Sequence, residues 1–293
     1  MTRRKIAILS SIIVLAVAGG ACTATALMTP PVVAVPVLMY HHLDQTGDSV
    51  VTVSQQLFEQ QLDYMEENGY TTVSFDELIA YVNDEDAELP QKPVAIVFDD
   101  GYESNYLLAY PALKARGDKA TICVIGSCVG KNTYKDTGAP MLPYLTWDQA
   151  REMSDSGLVE IGSPTFDMHQ YAPLETGTPR ESAVPLPGES DADFTAKFCE
   201  DYTKNDSLIY DNLGYNVKVF AYPNGKYTEL SEKLVRSMGA KVTLTTRVGM
   251  NYISKGKPES LYLMRRYSIN EDTDVETLQS YLDGKIPGKT DKK

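Results

Sequence analysis

Val94-Ala-Ile-Val-Phe98 is an unbroken apolar run, rich in β-branched residues, that ends in two adjacent carboxylates and a glycine, Asp99, Asp100 and Gly101. A run of this length without polar alternation has no wet face, so it predicts a strand buried on both sides. Both acids are then delivered together at the strand's end. Two neighbouring anions repel, and burying them without a cation or hydrogen-bond donors costs several kcal/mol per charge. A bound metal resolves that cost. The plainer alternative is that Asp99 and Asp100 cap the next helix, because Asp-Gly is a common turn and Ser104 or Asn105 can open a helix over 104–116.

The remainder of the chain alternates strand and helix. A strand over 37–40 is followed by a helix capped by Ser54, with Phe58, Leu62 and Met65 on one face and Gly69 at its end. Further strands are expected over 71–75, 120–125, 158–161, 217–221, 241–245 and 261–264. Helices are expected over 76–82, from Thr146 in a capping box with Gln149, and over 191–213, 228–238 and 275–283. Repeated βα units imply a parallel sheet, either a barrel or a doubly wound layer. In both, functional residues lie just beyond strand C-termini. His41 and His42 after the first strand, Asp99 and Asp100, and His169 after Ile161 all fall there, and the chain has no other histidine.

The first thirty residues differ in kind. Arg3, Arg4 and Lys5 precede an uncharged stretch from Ile6 to Pro36, of which Ile6 to Ala18 is strongly apolar. That is an export signal. Ala24-Thr-Ala26 suits cleavage, and the stretch is also long enough, at about 20 residues, to stay as a membrane anchor with the domain outside. The 263 residues after Pro30 carry no repeat or low-complexity block and suffice for one large α/β domain over 31–293. Without the leader's three cations, 24 basic residues face 40 acidic ones, a net charge of −16. Nucleic acid is therefore excluded as a partner, and an uncharged or cationic polymer is compatible.

Outside the leader, Cys123, Cys128 and Cys199 are odd in number and lack paired spacing, so neither a zinc cluster nor a disulfide framework is expected. Trp147 reads as core packing. Tyr102, Tyr106 and Tyr110 follow helical spacing and read as core or rim, and His41 and His42 have an ordinary reading as satisfied strand-end histidines. The Pro- and Gly-rich, acidic segment 170–193 has no hydrophobic period and reads as a long loop forming a wall of a substrate groove.

Five elements in order, Pro36-Val-Leu-Met-Tyr-His-His42, Val97-Phe-Asp-Asp-Gly-Tyr102, Leu158-Val-Glu-Ile-Gly-Ser163, Phe220-Ala-Tyr-Pro-Asn-Gly225 and Leu261-Tyr-Leu-Met-Arg265, resemble the polysaccharide deacetylases with a NodB homology domain, carbohydrate esterase family four. The resemblance implies a distorted (β/α) barrel of about seven units and metal-dependent hydrolysis of acetyl groups on cell-wall or exopolysaccharide sugars, whether peptidoglycan, chitin-like or other. It implies Asp99 as general base, Asp100 and His169 as ligands of a divalent metal, zinc first, and the backbone N–H of Asn224 as oxyanion donor. His41 or His42 is expected to supply the leaving amine with its proton.

The chain departs from the resemblance at Pro164, where the family's first ligand histidine normally stands. A catalytic zinc usually has three protein ligands plus water. Three repairs are conceivable: Asp167 as an oxygen ligand, His41 or His42 as a nitrogen ligand, or water with weak binding. The competing expectation is a pseudoenzyme, the same barrel kept as a glycan-binding module without turnover. The arginine often found ahead of the Pro-Tyr element is also absent, Ala221 and Tyr222 standing there, and Arg265 and Arg266 occupy the strand where many members carry a late histidine.

Overall fold

A computed structural model describes residues 32–47 and 50–286. The leader read over residues 1–30 lies outside the described residues. The strands are β1 (Val32–Val35), β2 (Val37–Tyr40), β3 (His42–Asp44), β4 (Thr52–Ser54), β5 (Thr71–Thr72), β6 (Pro93–Phe98), β7 (Ala120–Cys123), β8 (Thr133–Tyr134), β9 (Ala139–Pro140), β10 (Val159–Gly162), β11 (Val219–Ala221), β12 (Val242–Leu244), β13 (Asn251–Ser254) and β14 (Tyr267–Ser268). The α-helices are α1 (Gln55–Glu67), α2 (Phe75–Asn83), α3 (Tyr110–Arg116), α4 (Trp147–Asp155), α5 (Asp191–Leu213), α6 (Glu229–Ser237) and α7 (Val275–Leu282). None of the described helices is long and apolar enough to cross a membrane.

Among the described strands, eight form a parallel array around the molecule. The main sheet has the order β10-β7-β6-β2-β14, with β5 against the start of β6. A second parallel pair, β11-β12, joins it through single bridges, Ser163 to Phe220 on one side and Leu244 to Met264 on the other. The architecture is thus the distorted (β/α) barrel of about seven units, with a ladder interrupted at both joints rather than closed. Period-two alternation explains how it packs. Ala95 and Val97 of β6 meet Val37, Cys123, Val219, Ala221, Val242 and Leu244 in one cluster. Val94, Ile96 and Phe98 pack with Leu38, Tyr40, Ile122 and Phe220 against Phe58 of α1, Leu113 of α3 and Phe198 of α5.

The expected caps are present. Ser54 accepts from the Leu57 N–H, Thr146 and Gln149 form a reciprocal capping box, and Gly117 and Gly214 end their helices in the left-handed region at φ 73 and 81. Trp147 opens α4 and packs against the core.

Three expectations are corrected. The strand expected over 71–75 shrinks to Thr71–Thr72, because Ser74 and Glu77 form a capping box that makes Phe75 the first residue of α2. The helix expected over 104–116 begins as a π turn, Asn105–Ala109, before becoming α3. The segment 261–264 is not a strand. It follows a 3-10 turn, Pro258–Leu261, and turns through Leu263 at φ 54, so that Met264 makes one bridge and β14 runs beside β2 instead.

Candidate active site

The alternation of β6 continues past its end. Ala95 and Val97 face inward, so Asp99 takes the next inward position, buried at 8 % exposure. An extended Asp100 would turn to the opposite face. It is instead left-handed, at φ 71, and lines the same cavity as Asp99. A non-glycine residue in this region carries backbone strain. Gly101 is also left-handed, at φ 84, and a Cβ there would sit 2.9 Å from Val124 Cγ1, so the turn requires glycine. Neither acid caps a helix: the π turn after them opens at Ser104 without a side-chain cap.

Asp99 is held by Arg266. The guanidinium Nη1 donates to Asp99 Oδ1 at 2.8 Å and Nε donates to the Thr245 carbonyl at 2.8 Å. Burial works to raise the Asp99 pKa, but the charge of Arg266, then of His41, and the Arg266 hydrogen bond outweigh it and hold the carboxyl below its usual range. Arg266 was recognisable in the sequence only as a departure. The signal for its role was an arginine inside an apolar stretch, since a fully buried arginine needs an anion.

Asp100 faces His169 from the loop after β10, with Oδ1 3.7 Å from His169 Nε2. His41, Asp99, Asp100, Pro164, His169, Tyr222, Pro223 and Asn224 line one cavity of about 90 Å³. Asp100, His169 and Asn224 also border an adjoining cleft of about 620 Å³, with Tyr102, Tyr134, Tyr144, Tyr171 and Glu181 around it. Tyr102 and Tyr144 pack with ring centroids 4.9 Å apart, and burial followed by the Asp100 charge drives the Tyr102 hydroxyl pKa upward. Asn224 is left-handed, at φ 54, and its side chain donates to the Glu181 carbonyl at 2.9 Å, which ties it to the long loop bordering the cleft.

Two of the expected site residues lie elsewhere. His42 does not line the cavity. Following His41 in the chain, its ring stands edge-on to Tyr102 and 3.3 Å from Thr52 Oγ1. Asp167 faces away and is occupied: Lys135 Nζ and Gln170 Nε2 donate to Oδ2 at 2.8 and 2.9 Å, and Ser127 Oγ donates to Oδ1 at 3.2 Å. A carboxylate with three donors has no reason to swing into a neighbouring cavity. Neither residue therefore repairs the position of Pro164, and among the described residues no three of His, Cys, Asp and Glu gather as a metal-holding group. Asp100 and His169 face each other across the cavity, and catalytic zinc usually takes three protein ligands.

The polysaccharide deacetylase family matches residues 86–243, more than half of the chain. The chain belongs to that family. Polysaccharide deacetylases are amide hydrolases and in general depend on a divalent metal. Among relatives, YxkH of Bacillus subtilis (strain 168), itself assigned to the polysaccharide deacetylases, is 27 % identical over 85 % of this chain and 76 % of its own length. The poly-β-1,6-N-acetyl-D-glucosamine N-deacetylase of Escherichia coli (strain K12) is 26 % identical over 73 % of this chain, which spans about a third (34 %) of that protein. Among solved structures, a de-N-acetylase from Aggregatibacter actinomycetemcomitans superposes with a TM-score of 0.71 at 25 % identity, covering 85 % of this chain and all (100 %) of that one.

Proposed function

We propose that this polysaccharide deacetylase removes acetyl groups from the N-acetylated sugars of an exopolysaccharide or cell-wall polymer. In this reading a leader over 1–30 exports it or anchors it to the membrane, and the domain over 31–293 works on the extracytoplasmic side. The observation that carries the proposal is the buried Asp99–Arg266 pair opening onto a cavity shared with His41 and Asn224. Arg266 keeps Asp99 ionised, so Asp99 can take a proton from a water as that water attacks the acetyl carbon. The Asn224 N–H, which donates to no acceptor among the described residues, receives the charge that builds on the carbonyl oxygen, an effect on the order of 3 kcal/mol for one donor. His41 then gives a proton to the leaving amine as the C–N bond breaks, and acetate and a free amino sugar depart.

Asp100 and His169 are the residues toward which a divalent cation, zinc first, is proposed to bind. With Pro164 at the third position the donor set does not fit a complete zinc site, and no step above runs through a metal. That same proline favours a second reading, a glycan-binding domain without turnover. Acetate release from poly-β-1,6-N-acetylglucosamine oligomers, chitin oligomers and acetylated peptidoglycan, with zinc content measured alongside, separates the two. The deacetylase reading expects acetate from the unsubstituted protein and a gain of tenfold or more in zinc retained by Pro164→His. Acetate that appears only with Pro164→His overturns it in favour of the silent binder.

A further inference from the structure

The loop that brings His169 to Asp100 leaves β10 at Ser163 and has few regular hydrogen bonds of its own, yet its backbone is fastened at almost every residue. Ser163 pairs through its backbone with Val219 and Ala221, the Thr165 and Phe166 carbonyls accept from the Gly126 and Ser127 N–H groups, and a further set of bonds comes from the side chains of α5, more than thirty positions further along the chain. Asp201 accepts two consecutive backbone N–H groups with its two oxygens, Phe166 N at 2.8 Å on Oδ1 and Asp167 N at 2.7 Å on Oδ2. One turn later on the same helix face, Asn205 is fully buried, and its Nδ2 donates to Ser163 Oγ at 2.7 Å and lies 3.1 Å from both the Thr165 and Val124 carbonyls.

The orientation of the Asn205 amide is unambiguous. Two of its three neighbours are carbonyl oxygens, which require a donor, and turning the amide over would set oxygen against oxygen. Holding Nδ2 there leaves Asn205 Oδ1 buried without a partner. It also requires Gly126, where a Cβ would lie 2.0 Å from that oxygen. A buried acceptor left unpaired is unfavourable. The arrangement therefore spends an unsatisfied group and a glycine on fixing one loop. The side chains on that loop that reach the cavity are Pro164 and His169.

We propose that Asp201 and Asn205 are positioning residues for His169: clamping residues 163–167 from behind, they set the direction in which its imidazole meets Asp100. With a proline where a second histidine would stand, the position of His169 depends on this clamp more heavily than it would in a site where two histidines shared the metal. A clamp of this kind acts first on the ring's surroundings and on turnover, because His169 is one of many residues bordering the glycan cleft and Asp201 and Asn205 border neither that cleft nor the cavity.

The full chain's three histidines make the imidazole spectrum a direct readout. The ring resonances are assigned by His41→Gln, His42→Gln and His169→Gln and compared between the unsubstituted protein and Asp201→Asn, which keeps size but turns one acceptor into a donor facing an N–H. The proposal expects the His169 resonance to move and broaden while those of His41 and His42 stay, with far-UV circular dichroism retained. Three superimposable resonances in a folded Asp201→Asn overturn it. Should that variant not fold, Asn205→Ser is read in the same way. A second arm rests on the deacetylase reading: kcat for acetate release falls tenfold or more while KM stays within twofold, and Asp201→Glu recovers part of the loss. An unchanged kcat with a lowered Tm marks a purely structural role and overturns the proposal. If neither protein releases acetate, the deacetylase reading fails and the resonances alone decide the clamp.

Discussion

Arg266 stands 167 residues from Asp99 in the chain, yet the two form the most deeply buried ion pair of the site. Breaking such a pair by removing one partner leaves an uncompensated buried charge, which typically costs about 3–5 kcal/mol. Arg266→Met is therefore expected to lose about that much stability at neutral pH, measured by urea unfolding, and adding Asp99→Asn is expected to restore a good part of it. The pH dependence has a definite sign. Asp99 has a lowered folded pKa, so its contribution is present above the unfolded carboxyl value of about 3.9 and is lost as pH falls through the folded value. The deficit of Arg266→Met should accordingly shrink below about pH 4, and a deficit constant down to pH 3 would count against the pair as its cause. Asp99, Asp100 and His169 were legible in the sequence because each follows a strand that its apolar run reveals. Arg266 was not legible as a partner, because nothing local in 261–269 says which anion its side chain meets.

At the scale of elements, apolar runs and caps located the helices well, and the errors share one physical cause. Short apolar stretches such as 261–264 satisfy strand, turn and core alike, and the tertiary neighbours choose among them. Here Leu263 is left-handed and the sheet edge passes to Tyr267–Ser268. The loop 163–169 was legible only as the carrier of His169. Its fastening to α5 was invisible, because nothing in the pattern of 191–213 says which backbone groups Asp201 and Asn205 meet, although Asn205 falls at the apolar spacing of Phe198, Tyr202 and Ile209. Burial, foremost, pushes the Asp201 pKa up to about 6, against the two N–H groups that lower it, with Asp167 raising and Lys204 lowering it further. A folded value above the unfolded one of about 3.9 means the native state holds a proton that the unfolded chain releases between about pH 4 and 6. Stability should thus fall as pH rises through that window, by on the order of 2 kcal/mol. Asp201→Asn should flatten the slope, and urea unfolding at pH 4, 5 and 6 compares the two proteins directly. Equal slopes would remove Asp201 from the account.

For the whole molecule, a parallel sheet with functional residues beyond its strands' C-terminal ends was expected from the repeating βα pattern, and about seven barrel units from the family resemblance; the cavity and the cleft open at that end of the strands. Net charge then bears on turnover. The proposed substrate is a neutral N-acetylated polymer, but each acetyl removed leaves an amine that is protonated at neutral pH. The product is a cation facing a domain whose acidic residues exceed its basic ones by 16, at a cleft bordered, among the described residues, by Asp100 and Glu181 and by no lysine or arginine. Attraction of this kind is screened by salt, with a Debye length of about 20 Å at 0.02 M and about 4 Å at 0.5 M. Inhibition by a fully deacetylated glucosamine oligomer should therefore weaken tenfold or more between 0.02 and 0.5 M NaCl. The KM of the neutral N-acetylated oligomer, which has no charge to screen, should change less than twofold over the same range. Steady-state acetate release with and without added product measures both quantities. Salt-independent product inhibition would mean that the cleft holds the sugar by its rings and hydroxyls, on the tyrosines, and that the acidic surface has no part in letting the product go.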